Sequence, residues 1–255
     1  MSVYVLVFSP TGGTQKVADI VAIGVDPKCQ MIDLMSRETE FSTISFTAED
    51  ICIVAVPSFG GRVPDIAVQR VSAVKGGGAA AIAVVAYGNR AIDDTMLELV
   101  NVLKAAGFRC AGGISAVAEH SIVRQFGAGR PDTEDVDELR AMAAKIAARI
   151  KAGEIPEDLT VPGEEPYKPY GGVPLKPIPD KEACVNCGAC ARKCPVGAIP
   201  ADDPCKPDDG KCISCMACIA VCPRGARKLD ENFVGMIAKG MAEACGGHKA
   251  NELFM

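Results

Sequence analysis

Five short apolar runs mark the first 152 residues, at positions 3–8, 30–34, 51–56, 79–87 and 108–118. Each has strand length and is rich in β-branched or small apolar residues. Amphipathic patterns between and after them predict helices near 14–23, 65–74, 93–106 and 132–152. The third ends at Gly107, suited to the left-handed position just past a helix. Unbroken apolar strands alternating with helices imply a parallel sheet covered on both faces. The predicted class is α/β, a doubly wound five-stranded sheet over residues 1–152.

Beyond residue 152 the pattern changes. Residues 153–180 hold seven prolines among Glu, Gly and Tyr, which predicts an extended, semi-rigid linker. At polyproline-II extension it would reach roughly 85 Å, so its length does not restrict where a second domain sits. The same composition also suits a strap lying along the first domain. Residues 181–230 form the second predicted domain, and 231–255 a C-terminal helix and tail. In that helix, expected around 231–244, Phe233, Ile237 and Met241 share one face.

The second domain contains a repeat. CVNCGACARKCPVGAI at 184–199 aligns with CISCMACIAVCPRGAR at 212–227, offset by 28 and identical at eight of sixteen positions. Each copy reads C-x₂-C-x₂-C-x₃-C-P, the spacing of bacterial two-cluster ferredoxins. A cubane needs one thiolate per iron. A tight loop wraps three corners, and the fourth cysteine points one helical turn away, to the neighbouring cluster. The expected ligand sets are Cys184, Cys187, Cys190 and Cys222 for one [4Fe–4S] cluster, and Cys212, Cys215, Cys218 and Cys194 for the other. Zinc is the alternative, but zinc sites use separated pairs without a third cysteine and a following C-P. A [3Fe–4S] centre would suit a loop lacking its middle cysteine, and neither loop does.

Composition and charge narrow the setting. The net charge of −5 divides into −2 for residues 1–152, −4 for 153–180 and +1 for 181–255. No segment carries the basic stripe of a nucleic-acid binder. The longest apolar run, 79–87, is far below a membrane span of ~20 residues. No secretory signal is evident at the N-terminus, and eight of thirteen cysteines sit at metal spacing. A reducing, cytoplasmic setting is therefore expected.

The first strand runs into Ser9-Pro10-Thr11-Gly12-Gly13-Thr14 and then a helix. Glycine backbone, hydroxyl donors and a helix N-terminus together make an anion cradle. No P-loop or dinucleotide fingerprint competes for it. Pro57-Ser58-Phe59-Gly60-Gly61-Arg62-Val63-Pro64 follows the third strand, and Tyr87-Gly88-Asn89-Arg90 the fourth.

The Ser-x-Thr-Gly-x-Thr loop resembles the phosphate loop of flavodoxins. With the cluster motifs and the EHS…GRPD stretch, the whole chain resembles the fused flavodoxin–ferredoxin proteins of anaerobic bacteria. The resemblance implies strand order 2-1-3-4-5, a small α+β ferredoxin-like 2[4Fe–4S] domain, and FMN at the strand ends. Ser9, Thr11, Gly12, Gly13 and Thr14 would hold its phosphate. Pro57, Ser58, Phe59, Gly60 and Gly61, with Tyr87, Gly88, Asn89 and Arg90, would flank its ring. The glycines would let backbone approach the flavin, and Tyr87 would stack on it. The chain has no Trp, so Phe59 or bare backbone stands where many flavodoxins place one.

His120 is expected to fix its loop by hydrogen bonding, with a proton relay as the alternative. Asp93 and Asp94 should open the helix that follows them. Arg62, Arg90, Arg124 and Arg130 are expected at the surface. Cys29, Cys52 and Cys110 read as small buried apolar residues. Cys205 is off the motif spacing, and Cys245 and His248 resemble a metal pair only superficially. The expected function is electron transfer among FMN, two clusters and protein redox partners. An FMN-dependent reductase of a small organic substrate is the alternative.

Overall fold

The computed structural model describes residues 1–170 and 174–255, so residues 171–173 of the predicted linker lie outside the described residues. Strands β1 (Val3–Val7), β2 (Cys29–Asp33), β3 (Ile51–Pro57), β4 (Ala80–Tyr87) and β5 (Arg109–Val117) pair in parallel. Their order is β2-β1-β3-β4-β5, the flavodoxin-like order. Helices α1 (Gly13–Val25), α2 (Asp65–Ala73), α3 (Thr95–Ala105) and α4 (Thr133–Ala152) make the crossovers and close the domain.

Period-two alternation divides the apolar strands between two layers. Ile51, Ile53 and Ala55 of β3, with Ile82 and Val84 of β4, pack under α1 and α4. Cys52, Val54 and Val56, with Ala81, Ala83 and Val85, face the α2 and α3 side. Every residue of β3 and β4 is buried, which is why their sequence runs are unbroken. The last helix has a sequence-encoded start. Asp132 accepts from the Glu134 and Asp135 N–H groups while Asp135 accepts from the Asp132 N–H, a reciprocal cap.

The described part of the proline-rich segment lies along α3. Leu159 is buried against the core. Asp94 accepts from the Glu164 and Lys168 N–H groups at 3.1 and 2.7 Å, and Asn101 donates to the Tyr167 hydroxyl at 2.7 Å. Asp93 pairs with Lys168 at 2.7 Å and also with Arg90. The two aspartates thus fasten the strap; Asp94 stands at the N-cap of α3 without a side-chain capping bond.

The second domain is small. Strand β6 (Ile178–Pro179) pairs antiparallel with β7 (Arg227–Lys228), with short helices α5 (Ala189–Lys193) and α6 (Ala217–Ala220) between. Helix α7 (Glu231–Met241) then crosses back, and Val234, Ile237, Ala238 and Met241 pack on Val123, Phe126 and Cys245. The tail ends in β8 (Glu252–Phe254), antiparallel to β5. The sheet therefore has six strands where five were expected. Asn251 seats the added strand: it accepts from the Val117 N–H at 3.0 Å and donates to Asp135 at 2.8 Å and Glu138 at 2.6 Å.

Cys29 is only half-buried on β2, where burial was expected, and Arg130 departs in the opposite sense. It is buried and forms a two-pronged ion pair with the buried Asp135. Among the described residues, no helix is long and apolar enough to cross a membrane.

Arg70 joins the two domains. Its buried guanidinium donates to the Leu34 carbonyl in the first domain and to the Pro195 carbonyl in the second, the latter at 2.7 Å. Arg37 reaches the Ala191 carbonyl at 3.1 Å, and Lys193 pairs with Asp33 at 3.6 Å. The cysteine-bearing domain is thereby docked at the C-terminal ends of the strands.

Candidate functional site

At those strand ends, Ser9 closes the first loop by accepting from the Gln15 N–H at 2.9 Å. Gly12 sits at φ 94°, a left-handed conformation that costs a residue with a Cβ about 1–2 kcal/mol. The turn it makes starts α1 at Gly13. The Gly13 and Thr14 N–H groups lie at the helix N-terminus and have no intrahelical acceptor.

A cavity opens beside this loop. Its walls include Pro10, Thr11, Gly13 and Thr14 from the first loop, Pro57, Ser58 and Phe59 from the second, and Tyr87 and Gly88 from the third. Ala118, Glu119, His120 and Ser121 close a further side. A second hollow shares Thr11, Gly13, Glu119, His120 and Ser121 with the first and continues to Arg124, Met216, Ile219 and Ala220. The space thus runs from a helix N-terminus to an aromatic, apolar end, with the second domain forming part of its wall.

Several expected residues have other work. Gly60 and Gly61, both at positive φ, make a two-residue turn closed by Phe59–Arg62 hydrogen bonds of 2.9 and 3.2 Å. Gly61 lies against Asp93, so a Cβ there would fall 2.1 Å from its Oδ2. Neither glycine lines the cavity. Asn89 is buried and donates to the Cys245 and Gly247 carbonyls at 2.7 and 2.9 Å, fastening the tail. Arg90 pairs with Asp93. Tyr87 does line the cavity, and its hydroxyl donates to the Ala250 carbonyl at 3.4 Å.

His120 fixes its loop. Its Nδ1 accepts from the Ile122 and Val123 N–H groups, both at 3.1 Å, which assigns the neutral ring's proton to Nε2. Burial, helped by the charge of Arg90, holds this imidazole below the usual histidine range. Gly88 makes room for it: a Cβ there would stand 2.5 Å from the His120 ring.

The cysteines gather in two further cavities. One is lined by Cys184, Cys187, Cys190 and Cys222, the other by Cys194, Cys212, Cys215 and Cys218. The fourth cysteine of each repeat thus stands with the other repeat's loop. Both loops turn through left-handed residues at matching positions, Asn186 and Gly188 in one, Ser214 and Met216 in the other. Cys194 Sγ accepts from the Ala198 N–H at 3.3 Å and Cys222 Sγ from the Ala226 N–H at 3.2 Å. Arg227, buried, lies on the walls of both cavities.

The donor chemistry fits an iron–sulfur cluster better than a lone ion. Among the described residues, no three His, Cys, Asp or Glu side chains converge as ligands of one ion. Instead five thiols line the first apolar cavity and four the second. Burial pushes the Cys215 thiol up to about 12 and that of Cys218 up to about 11. Ligation to metal would displace their protons. The strand-end cavity likewise fits a phosphorylated, planar aromatic group: free helix N–H groups and hydroxyls at one end, Phe59 and Tyr87 walls at the other.

One cluster cysteine also borders the strand-end cavity. Cys215 lines both the second cysteine cavity and the strand-end cavity. Its neighbour Met216 is fully buried on the same boundary. Spacing placed Cys215 among the ligands but gave no sign of this second role. Glu119, Ser121, Met216, Ile219 and Ala220 were likewise not foreseen as cavity walls. The only sequence trace was Met216 itself, a bulky residue where the first repeat has Gly188.

Residues 183–226 match the model of the family described as 4Fe-4S dicluster domain. The fold is similar to a flavodoxin from the domain Archaea, at 15% identity and TM-score 0.42, covering 59% of this chain and 99% of that one. It is similar also to the flavodoxin of Streptococcus pneumoniae TIGR4, at 20% identity and TM-score 0.41, covering 58% and 99%. The two-electron reduced flavodoxin of Megasphaera elsdenii matches at 16% identity and TM-score 0.38, covering 56% and 98%. A search of curated proteins finds no match. Strands β1 to β5 thus have the doubly wound order of the flavodoxin-like fold, and residues 183–226 match the 4Fe-4S dicluster domain.

Proposed function

We propose that this chain is an electron carrier that holds FMN at the strand ends and two [4Fe–4S] clusters in the cysteine cavities, and that it exchanges electrons with protein redox partners. The observation that carries the reading is the position of Cys215 on the walls of two cavities at once. When bound, FMN supplies one- or two-electron chemistry and the clusters one-electron chemistry.

The chain's own residues bind, orient and enclose. The Gly13 and Thr14 N–H groups and the Thr11 and Thr14 hydroxyls receive the phosphate. Phe59 and Tyr87 border the ring end, while Met216, Ile219 and Ala220 wall part of the space from water. Cys194 and Cys222 each accept a backbone N–H bond at sulfur, which favours the more negative state of the ligated metal. Cys215 would hold the second cluster on the side that borders the strand-end cavity. The exposed Val185–Asn186–Cys187 stretch leaves the first cluster at the surface, where a partner protein approaches it.

Anaerobic purification followed by acid extraction tests the composition. The reading expects about one FMN and about eight irons per chain; a folded, cluster-loaded chain without FMN would sink it. Steady-state turnover of a small organic acceptor without any protein partner would favour a reductase instead.

A further inference from the structure

The first cysteine cavity has a fifth thiol. Cys205 lines it together with Cys184, Cys187, Cys190 and Cys222, with Cys184 as its neighbouring thiol. The second cavity has four cysteines and no counterpart. The repeat gives no reason for the extra residue, because Cys205 lies between the two copies and off their spacing.

Cys205 is also held in place. Its N–H donates to Asp203 at 3.2 Å, in a turn closed by the Lys206 N–H bonding the Asp203 carbonyl at 3.0 Å. The preceding carbonyl, of Pro204, accepts from the buried guanidinium of Arg227. Arg227 in turn approaches Cys190 Sγ at 3.9 Å. The side chain that borders both cysteine cavities thus also anchors the segment carrying the spare thiol.

We propose that Cys205 is an alternative iron ligand of the first cluster, able to replace Cys184 at its iron corner. In the exchange the iron–sulfur bond to Cys184 breaks and one to Cys205 forms. The Cys205 proton passes to the departing Cys184 thiolate, and no electron is gained or lost. The device belongs to the more exposed site: Cys187 is exposed, whereas its counterpart Cys215 is buried. A second thiol at hand recaptures an iron that its first ligand has released, before the corner is lost to solvent.

The proposal rests on the cluster assignment above, and the test separates the two. Iron, acid-labile sulfide and FMN are measured on anaerobically purified Cys184→Ala, Cys205→Ala, the double variant and Cys212→Ala, with EPR after reduction. A wild-type content of about eight irons supports the cluster assignment itself. Cys205→Ala should keep the wild-type iron. Cys184→Ala should also keep it, with a shifted first-cluster EPR signal and with Cys205 protected from alkylation. The double variant and Cys212→Ala, which lack a spare thiol, should each lose iron from one cluster. Unchanged FMN content shows that the first domain remains folded. Iron loss in Cys184→Ala as large as in the double variant, or alkylation of Cys205 in that variant, overturns the proposal while leaving the cluster assignment intact.

Discussion

The two cysteine loops have the same spacing and the same left-handed turns, yet they face opposite ways. In the first, Val185, Asn186 and Cys187 are exposed, Val185 by 59%. In the second, Ser214 through Cys218 is buried without interruption. The difference does not come from the repeat. It comes from docking: the second loop lies on the strand-end cavity, and the first turns to solvent. An internal duplication has become a device with an inside and an outside, and the inner loop contributes a wall to its neighbour's cavity.

The sharpest break in that comparison is to remove the same cysteine from each loop. Cys187→Ala and Cys215→Ala should each cost about half the iron. Only Cys215→Ala should also leave the flavin unreduced when a one-electron donor reduces the cluster that remains. Stopped-flow absorbance reads the difference; equal flavin reduction in both variants would make the inner position irrelevant.

Arg70→Met attacks the docking. The carbonyls of Leu34 and Pro195 lose a buried donor, at a cost of about 1–3 kcal/mol. Limited proteolysis within 153–180 should become faster, and the iron content should stay unchanged. Resistance equal to wild type would place the docking energy elsewhere.

A glycine exchange yields a smaller effect. Met216→Gly relieves a left-handed backbone at φ 63°, worth about 1–2 kcal/mol. It also removes a buried side chain worth about 1.5–3 kcal/mol. The net change should be a destabilisation of about 1 kcal/mol, with flavin fluorescence more open to a soluble quencher. Gly188→Met, in the first loop and away from the strand-end cavity, should change neither the quenching nor the flavin. Equal quenching in wild type and Met216→Gly would remove Met216 from the boundary.

The smallest effect is a pH dependence from His120. Because burial lowers its folded pKa, the unfolded chain takes up the proton first. Stability is then complete above the unfolded value of about 6.5 and declines as pH falls from there towards the folded value. His120→Gln should flatten that part of the stability curve, as followed by urea unfolding between neutral and mildly acidic pH. An unchanged slope would show that the ring is not the group responsible.

Much of this architecture is legible in the chain because β3 and β4 are buried on both faces, leaving apolar runs that no other element resembles. The cluster cysteines are legible for a different reason: metal geometry fixes their spacing locally. Long-range relations were not. β8 has three residues, too few to show a period. Arg130 carries no sign of burial until the turn before α4 brings Asp135 to it. Gly60-Gly61 suits either a tight turn or close approach to a ligand, and the fold uses the turn. That Cys215 would face the flavin-type cavity depends on how two domains dock, which neither domain's own pattern encodes.

The central claim is that electrons pass within one chain across the boundary at Cys215. Its most direct test is stopped-flow reduction of the anaerobic holoprotein by a low-potential one-electron donor, with the clusters reduced first and the flavin followed afterwards at several protein concentrations. The account predicts a flavin phase whose rate is independent of protein concentration. A rate that rises in proportion to concentration would mean transfer between chains and would contradict it.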